Sequence, residues 1–244
     1  GTIQPSQADY FQTVKGGGHG DYRLITLAPS SVQEMVDFVA LGFDLAFKYQ
    51  TPSIILSDGM IGQLMEKVVL PPFRPRKTDE EIARESPWAA CGRKGGRRPN
   101  IITSLELDPA IMEQRNLHLL EKYRRIEENE VRYEEIGCED ADYLLVAFGS
   151  SARICQKAME MARGEGLKLG LLRPITLWPF PTKAISDWAD KVKGILSVEL
   201  NAGQMVEDVK LAVNGRIRVE HFGRLGGIVF TPDEIIAAVK EKLM

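Results

Sequence analysis

The chain has 244 residues, 44% of them hydrophobic, and 31 Lys and Arg against 34 Asp and Glu leave a net charge of -3. That length makes one large domain or two small ones, and the slightly acidic balance argues against nucleic acid or a membrane surface as the main partner. There is no apolar run long enough to span a bilayer, a signal peptide is not expected, and the scattered Cys91, Cys138 and Cys155 fit a reducing compartment without a CxxC or HxxxH metal pattern.

Residues 1–22 read as loop. A polar opening is followed by Lys15-Gly16-Gly17-Gly18-His19-Gly20-Asp21, where glycines allow close backbone approach. No GxGxxG or GxxxxGK spacing follows, so this is not a phosphate cradle. His19 is either an acid–base or hydrogen-bonding group or a solvent-facing loop histidine.

Residues 23–58 make one β-α-β unit. Leu24–Leu27 is a short strand, and Ser31 with Glu34 forms a capping box. Val32, Met35, Val36, Val39, Phe43, Ala46 and Phe47 recur at helical spacing and predict the buried face of a helix. The run 53–57 predicts a second strand, parallel to the first and buried on both faces, with Asp58-Gly59 turning out of the sheet. Two strands and one helix cannot cover both faces of a parallel sheet. Residues 1–72 are therefore expected to be the second half of an α/β domain whose first strands lie upstream, in a fragment, a truncated chain or one piece of a split protein.

Residues 73–139 read as a linker and a bridging helix. The stretch 71–100 is punctuated by proline and rich in charge. Arg93-Lys94-Gly95-Gly96-Arg97-Arg98 is an anion-binding or simply a solvated basic loop. Asp108-Pro109 starts a helix whose apolar side carries Met112, Leu119, Leu120, Tyr123 and Ile126.

Residues 140–244 predict a complete α/β domain with a mostly parallel sheet and helices on both faces. Strands are expected at 143–148, 168–172, 194–200 and 217–222. Helices are expected near 152–163, from Thr182 with Ile185, Trp188 and Val192 inward, from 204 to an Asn214-Gly215 stop, and after the Thr231-Pro232-Asp233-Glu234 capping box. After strand 168–172 the chain leaves the sheet through Arg173-Pro174 and enters a corner at Trp178-Pro179-Phe180-Pro181. Proline bars that corner from continuing the sheet or entering a helix before Thr182. Such a half-exposed aromatic corner is a place for ligand or partner, or a stiff loop packed on a helix.

Several groups can carry chemistry. Gly149-Ser150-Ser151 opens a helix and offers an anion site, but it lacks the GxSxG pattern of a serine hydrolase. Glu199, Asn201 and Gln204 stand at a strand end and a helix start, as ligand or partner contacts or as a capped helix. Arg224 in its glycine loop pairs with a phosphate or a partner carboxylate, or belongs to a flexible loop. No carboxylate pair or Ser/His/Asp order marks a catalytic residue.

The segments GTIQPSQADYFQ, GGGHGDYRLITLAPSSVQEM, RPITLWPFP and VELNAGQM resemble the α subunit of 2-oxoacid:ferredoxin oxidoreductases across essentially the whole chain, the 2-oxoisovalerate (branched-chain) type first and the 2-oxoglutarate type next. HGD with LAPSS, RPxTLWPFP and ExNxGQ are specific in combination. The resemblance implies an incomplete thiamine-diphosphate pyrimidine-type domain (1–72) followed by a transketolase C-terminal-like domain (140–244). It implies oxidative decarboxylation of a 2-oxoacid with coenzyme A to acyl-CoA, carbon dioxide and reduced ferredoxin. Thiamine diphosphate with magnesium is expected mainly on a partner β subunit, and iron–sulfur clusters on a ferredoxin-like subunit, with a γ subunit, ferredoxin and self-association completing a cytoplasmic heteromer. The resemblance places Thr2, Gln4, Ser6, Gln7, Asp9 and His19 near substrate or cofactor, and leaves Arg173, Trp178, Asn201, Gln204 and Arg224 as partner or ligand loops. The family's activating glutamate and threonine motif lie upstream and have no counterpart among these residues. A non-catalytic assembly module and a transketolase-like E1 component feeding a lipoyl protein are the alternatives.

Overall fold

In the computed structural model, which describes residues 3–90, 92, 93 and 98–244, contacts gather residues up to Val69 with Leu120–Met244 into one unit and Leu70–Leu119 into another. The elements begin with α1 (Tyr10–Val14), β1 (Ile25–Leu27), α2 (Val32–Tyr49), β2 (Ser53–Ile55), α3 (Gly59–Gln63) and α4 (Asp79–Glu85). They continue with α5 (Pro109–Asn129), β3 (Tyr133–Ile136), β4 (Tyr143–Val146), α6 (Gly149–Gly164), β5 (Leu169–Pro174) and β6 (Thr176–Trp178). The last are α7 (Thr182–Trp188), β7 (Gly194–Glu199), α8 (Met205–Val213), β8 (Val219–Gly223) and α9 (Pro232–Leu243).

In the larger unit, β4, β5, β7 and β8 run parallel in a five-stranded sheet of order β3-β5-β4-β7-β8, with β3 antiparallel at the edge. Ala152, Cys155, Ala158 and Ala162 of α6 and Ile235, Val239 and Leu243 of α9 pack on Leu145, Leu171, Leu196 and Val198 of this sheet. Small residues along α6 let it lie close to the strands. α9 starts at the Thr231/Glu234 capping box with Pro232 in its first turn, and Asn214 closes α8 in the left-handed conformation.

A second sheet, of order β2-β1-β6, joins the early β-α-β unit to a strand of the later part of the chain. β1 and β2 are parallel, while β6 pairs antiparallel with β1, Thr26 opposite Trp178 and Leu27 opposite Thr176. The corner therefore does not leave sheet structure: after Pro174 the chain crosses into the other sheet before Pro179 stops it. Trp178 is buried, not half-exposed, with its ring edge-on to Tyr123 at 5.7 Å.

Two further expectations are corrected. α2 buries Phe38, Gly42, Leu45 and Tyr49, whereas Val39, Phe43 and Phe47 are 48%, 64% and 57% exposed. Both stripes have helical period, and only the position of the sheet decides between them. β2 is half-buried because it is an edge strand, paired with β1 alone among the described strands. Besides β6, four elements went unanticipated: α1 and α3 are single-turn helices, α4 is announced by the Thr78/Glu81 capping box, and β3, Tyr-Glu-Glu-Ile, carries no alternation.

In the smaller unit no described residue is buried. Of the basic loop, 94–97 lie outside the described residues.

Candidate functional site

Gln7 organises the meeting of the two sheets. It is 4% exposed. Its Nε2 donates to the Phe148 carbonyl at 2.8 Å, and its Oε1 accepts from the Ser151 hydroxyl at 2.7 Å and the Leu200 amide at 3.0 Å. Its amide donates to the Leu200 carbonyl at 3.0 Å, and its carbonyl accepts from Asn201 Nδ2 at 2.9 Å. The loop that carries Gln7 is thus laid across the carboxyl end of β7 and the start of α6.

Asn201 and Gln204 extend the same contact. Asn201 Oδ1 accepts the Gly203 amide at 2.8 Å, which fixes the turn into α8. Gln204 donates to the Ala8 carbonyl and accepts from the Phe11 amide, both at 2.8 Å. Tyr10 is fully buried against Phe148, and its hydroxyl donates to Asp208 at 2.6 Å. Burial, then the charge of Asp208, pushes the Tyr10 pKa well above the ordinary tyrosine range.

Two buried carboxylates fill the helix starts here. Asp58 Oδ1 accepts the amides of Met60 and Ile61 at 3.0 and 3.1 Å, and Oδ2 accepts the Ser150 amide and hydroxyl at 3.1 and 2.6 Å. The anion at the start of α6 is therefore supplied by the chain itself, which corrects the reading of Gly149-Ser150-Ser151 as an open anion site. Gly149 has φ +57°, and a Cβ there would stand 3.0 Å from Gln7 Nε2 and 3.2 Å from Asp58 Oδ2. Glu199 likewise accepts the amides of Gln204, Met205 and Val206 and the Ser197 hydroxyl.

The other sequence candidates are placed as follows. Thr2 lies outside the described residues. Gln4, Ser6 and Asp9 are exposed on the Gln7 loop; His19 is exposed in the glycine loop and makes none of the junction's hydrogen bonds. Arg173 is 3% exposed and is held by Glu34, at 2.7 and 3.0 Å, and by Glu134 at 2.8 Å. Arg224 pairs with Glu234, and its amide donates to the Glu199 carbonyl at 3.3 Å. The structure thus brings Gln7, Asn201 and Gln204 together and holds Arg173 in an internal ion cluster. Sequence reading missed Tyr10 and Asp208, and it read Ser151 as part of an anion site and Asp58 as a turn; the Asp58-Gly59 pair reads equally as turn and as helix cap, and only the latter points here.

Chemically, this arrangement positions more than it reacts. Ser150 and Ser151 are engaged by Asp58 and Gln7. Cys138 and Cys155 are buried; burial pushes the Cys138 thiol up to about 11 and the Cys155 thiol higher still, so neither supplies a thiolate at neutral pH. No three His, Cys, Asp or Glu among the described residues are placed to share a metal ion. A groove of about 810 Å³ runs beside the junction, lined by Lys15, Arg23, Glu127, Trp178, Phe180 and Asp208.

A family model described as "Pyruvate flavodoxin/ferredoxin oxidoreductase, thiamine diP-bdg" matches residues 1–131, and "Pyruvate:ferredoxin oxidoreductase core domain II" matches 141–235. The ketoisovalerate oxidoreductase subunit VorB of Methanothermobacter marburgensis is 46% identical over 241 residues, covering 99% of this chain and 66% of the relative. The 2-oxoglutarate synthase subunit KorA of the same organism is 33% identical over 95% of this chain and 67% of its own length. The structure of 2-oxoglutarate:ferredoxin oxidoreductase from Magnetococcus marinus, with 2-oxoglutarate, coenzyme A and succinyl-CoA bound, matches with a TM-score of 0.77 at 26% identity, covering 99% of this chain and 46% of that one. A split-gene transketolase, an inactive β4 tetramer, is alike in fold alone, with a TM-score of 0.50 at 12% identity over 90% of this chain and 57% of that one. The chain spans about two thirds of the length of the curated relatives it matches.

Proposed function

The chain belongs to the pyruvate:ferredoxin oxidoreductase family, and from that premise we propose that it works within the α subunit of a heteromeric 2-oxoacid:ferredoxin oxidoreductase. The reaction is oxidative decarboxylation of a 2-oxoacid with coenzyme A to acyl-CoA, carbon dioxide and reduced ferredoxin, with branched-chain substrates preferred. The observation that carries this reading is the 46% identity to a ketoisovalerate oxidoreductase subunit over 99% of the chain.

Residues 1–72 are read as the later half of a pyrimidine-type domain. In support, β2 has β1 on one side only among the described strands, and Val39 and Phe43 of α2 are exposed beside it. Residues 73–139 are read as the linker and residues 140–244 as the transketolase C-terminal-like domain. The donors described here do not fit a magnesium–diphosphate site, because Asp58 and Glu199 are saturated by amide and hydroxyl donors. Thiamine diphosphate is accordingly assigned mainly to a β subunit, and no step is derived through it on this chain. Iron–sulfur clusters are assigned to a ferredoxin-like subunit, with a γ subunit alongside; the assembly is cytoplasmic and self-associating. What this chain contributes is the exposed loop 3–9, held against the core by Gln7, Asn201 and Gln204.

The test is steady-state turnover of the complete heteromer with coenzyme A and ferredoxin. We expect kcat/KM for 2-oxoisovalerate to exceed that for 2-oxoglutarate by about tenfold or more, the scale on which an apolar pocket discriminates. The reverse order would move the chain to the 2-oxoglutarate type. Turnover that needs lipoamide in place of ferredoxin would make it an E1-like component. An assembly-only role is favoured by one observation, that the buried polar groups are spent on internal bonds. Gln4→Ala, Ser6→Ala and His19→Ala each leaving kcat and KM unchanged would establish it.

A further inference from the structure

Residues 71–77, Pro-Pro-Phe-Arg-Pro-Arg-Lys, form neither helix nor strand and are exposed throughout, Phe73 to 89%. Proline fixes φ near the polyproline II value and holds the residue before it in extended backbone. The segment is therefore stiff before it meets anything, and ordering it on a surface costs little entropy. Pro72 and Pro75 stand three apart, which puts them on one side of a helix with roughly three residues per turn. Arg74, Arg76 and Lys77 make the segment cationic. Lys77 pairs with Glu85, but both are exposed and such a pair is weak.

The larger unit has a groove of matching chemistry. Tyr133, Phe180 and Pro181 line the space of about 810 Å³ beside the junction. Tyr133 is exposed and Phe180 half-buried, so ring surface is open to an occupant. Two carboxylates of the groove are already answered, Asp208 by Lys15 and Asp187 by Lys183. Glu127 and Glu128 are exposed and have no cationic partner among the described residues. Arg23 donates to the Tyr22 carbonyl at 3.0 Å and to no carboxylate among those residues. An aromatic channel is what binds proline-rich segments, and free carboxylates on its rim favour a basic one. No residue of 71–77 lines this groove in its own chain.

We propose that residues 71–77 of one copy dock in the Tyr133/Phe180 groove of a second copy, and that two copies exchange this contact across a two-fold axis. Self-association is part of the functional reading above, and here it gains a surface; the reaction itself is not needed for it. Phe73, Pro72 and Pro75 lie along the rings. Arg76 faces Glu127 and Glu128, and Glu80, three residues beyond Lys77, meets Arg23. The chain supplies both the segment and the groove, so a mutual exchange fills both on each copy and closes at the dimer.

The experiment uses the complete heteromeric enzyme, reconstituted from separated subunits with two forms of this chain in equal amounts. One form is native and carries a heavy-isotope label. The other is unlabelled and carries the photoreactive substitution Phe73→p-benzoylphenylalanine, which keeps an aromatic group in place. After illumination, mass spectrometry is expected to find position 73 joined to labelled peptides holding residues 127–133 or 178–183. Glu127→Lys with Glu128→Lys in the labelled chain is expected to lower that yield by about tenfold or more. Adding Arg76→Glu to the photoreactive chain is expected to recover most of the loss, which a groove that had simply misfolded would not allow. Cross-links confined to unlabelled peptides overturn the exchange between copies. Cross-links to another subunit, or none, overturn the docking, as does a yield indifferent to the charge reversals. Turnover is followed alongside: cross-links as expected in a heteromer inactive on 2-oxoacids would leave this interface standing and sink the functional reading instead.

Discussion

His221 on β8 is the titratable group whose packing is least forgiving. Its Nε2 is buried without a hydrogen-bond partner. A Cβ on Gly223 would come 2.7 Å from its ring and 2.4 Å from the Asn201 carbonyl, so the ring and the turn that holds Gln7 share one crowded space. Burial lowers the His221 pKa below the ordinary histidine value; the charge of Glu199 opposes this, and Lys242 and Lys210 add to it. The folded protein therefore resists a proton that the unfolded chain accepts near pH 6.5. Stability is unaffected by this group well above that pH and falls as pH drops through 6.5 towards the lower folded value. We expect urea midpoints measured at about pH 7.5 and 5.5 to fall less in His221→Asn than in the native chain. Equal falls in the two proteins would show that the ring takes its proton without cost. Nothing in the sequence announces this: His221 lies in a strand pattern, Gly223 follows two residues on in the same strand, and Gly203 is brought against the ring only by the fold.

At the level of elements, Arg173 is where β5, β3 and α2 are fastened. Its guanidinium forks onto both oxygens of Glu34 and reaches Glu134, while Glu34 also accepts from the Ser30 amide at 2.7 Å. Glu34 is thus both a cap for α2 and the counter-ion of a strand residue. Arg173→Met strands Glu34 without its cation and should cost about 2–4 kcal/mol in urea unfolding, with Arg173→Lys intermediate because a lysine cannot fork. A change of less than about 0.5 kcal/mol in the methionine variant would reduce the cluster to an ordinary surface contact. The capping boxes and the strand–helix alternation of 140–244 could be read directly because they depend on local spacing. β6 could not, since a three-residue strand acquires its identity only from β1, far away in sequence. The exposed stripe of α2 reads as the buried one for a related reason: the helix has two apolar faces, and the choice between them is made by β1 and β2. Of the candidate site, the residues Gln7, Asn201 and Gln204 were legible; that they bind one another was not, because it depends on two distant segments meeting.

For the whole molecule, those long-range bonds join residues 3–69 and those after 119 into one unit although the sequence presents them as two α/β pieces. β6 completes the three-stranded sheet, and the Ala28 amide donates to the Ile175 carbonyl at 2.8 Å. Asp58 caps α6, and Gln7 and Tyr10 dock on the carboxyl end of the five-stranded sheet. Buried Glu130 accepts from Lys48 at 2.7 Å, Tyr49 at 2.6 Å and Arg132 at 2.9 Å. Burial works against its charge, yet these three donors hold its pKa below the usual carboxylate range. Residues 70–119 have no buried side chain among those described, and Arg76, Lys77, Arg84 and Arg93 are exposed there. Segments that bury little open at low free energy and are cut first. Brief trypsin treatment should therefore nick the chain within 70–119 and leave an amino-terminal and a carboxyl-terminal fragment. The two should travel together in size-exclusion chromatography and part only in denaturant. Fragments that separate in native buffer, or a first cut inside β4 to α9, would show that the two sheets are held by less than the bonds described.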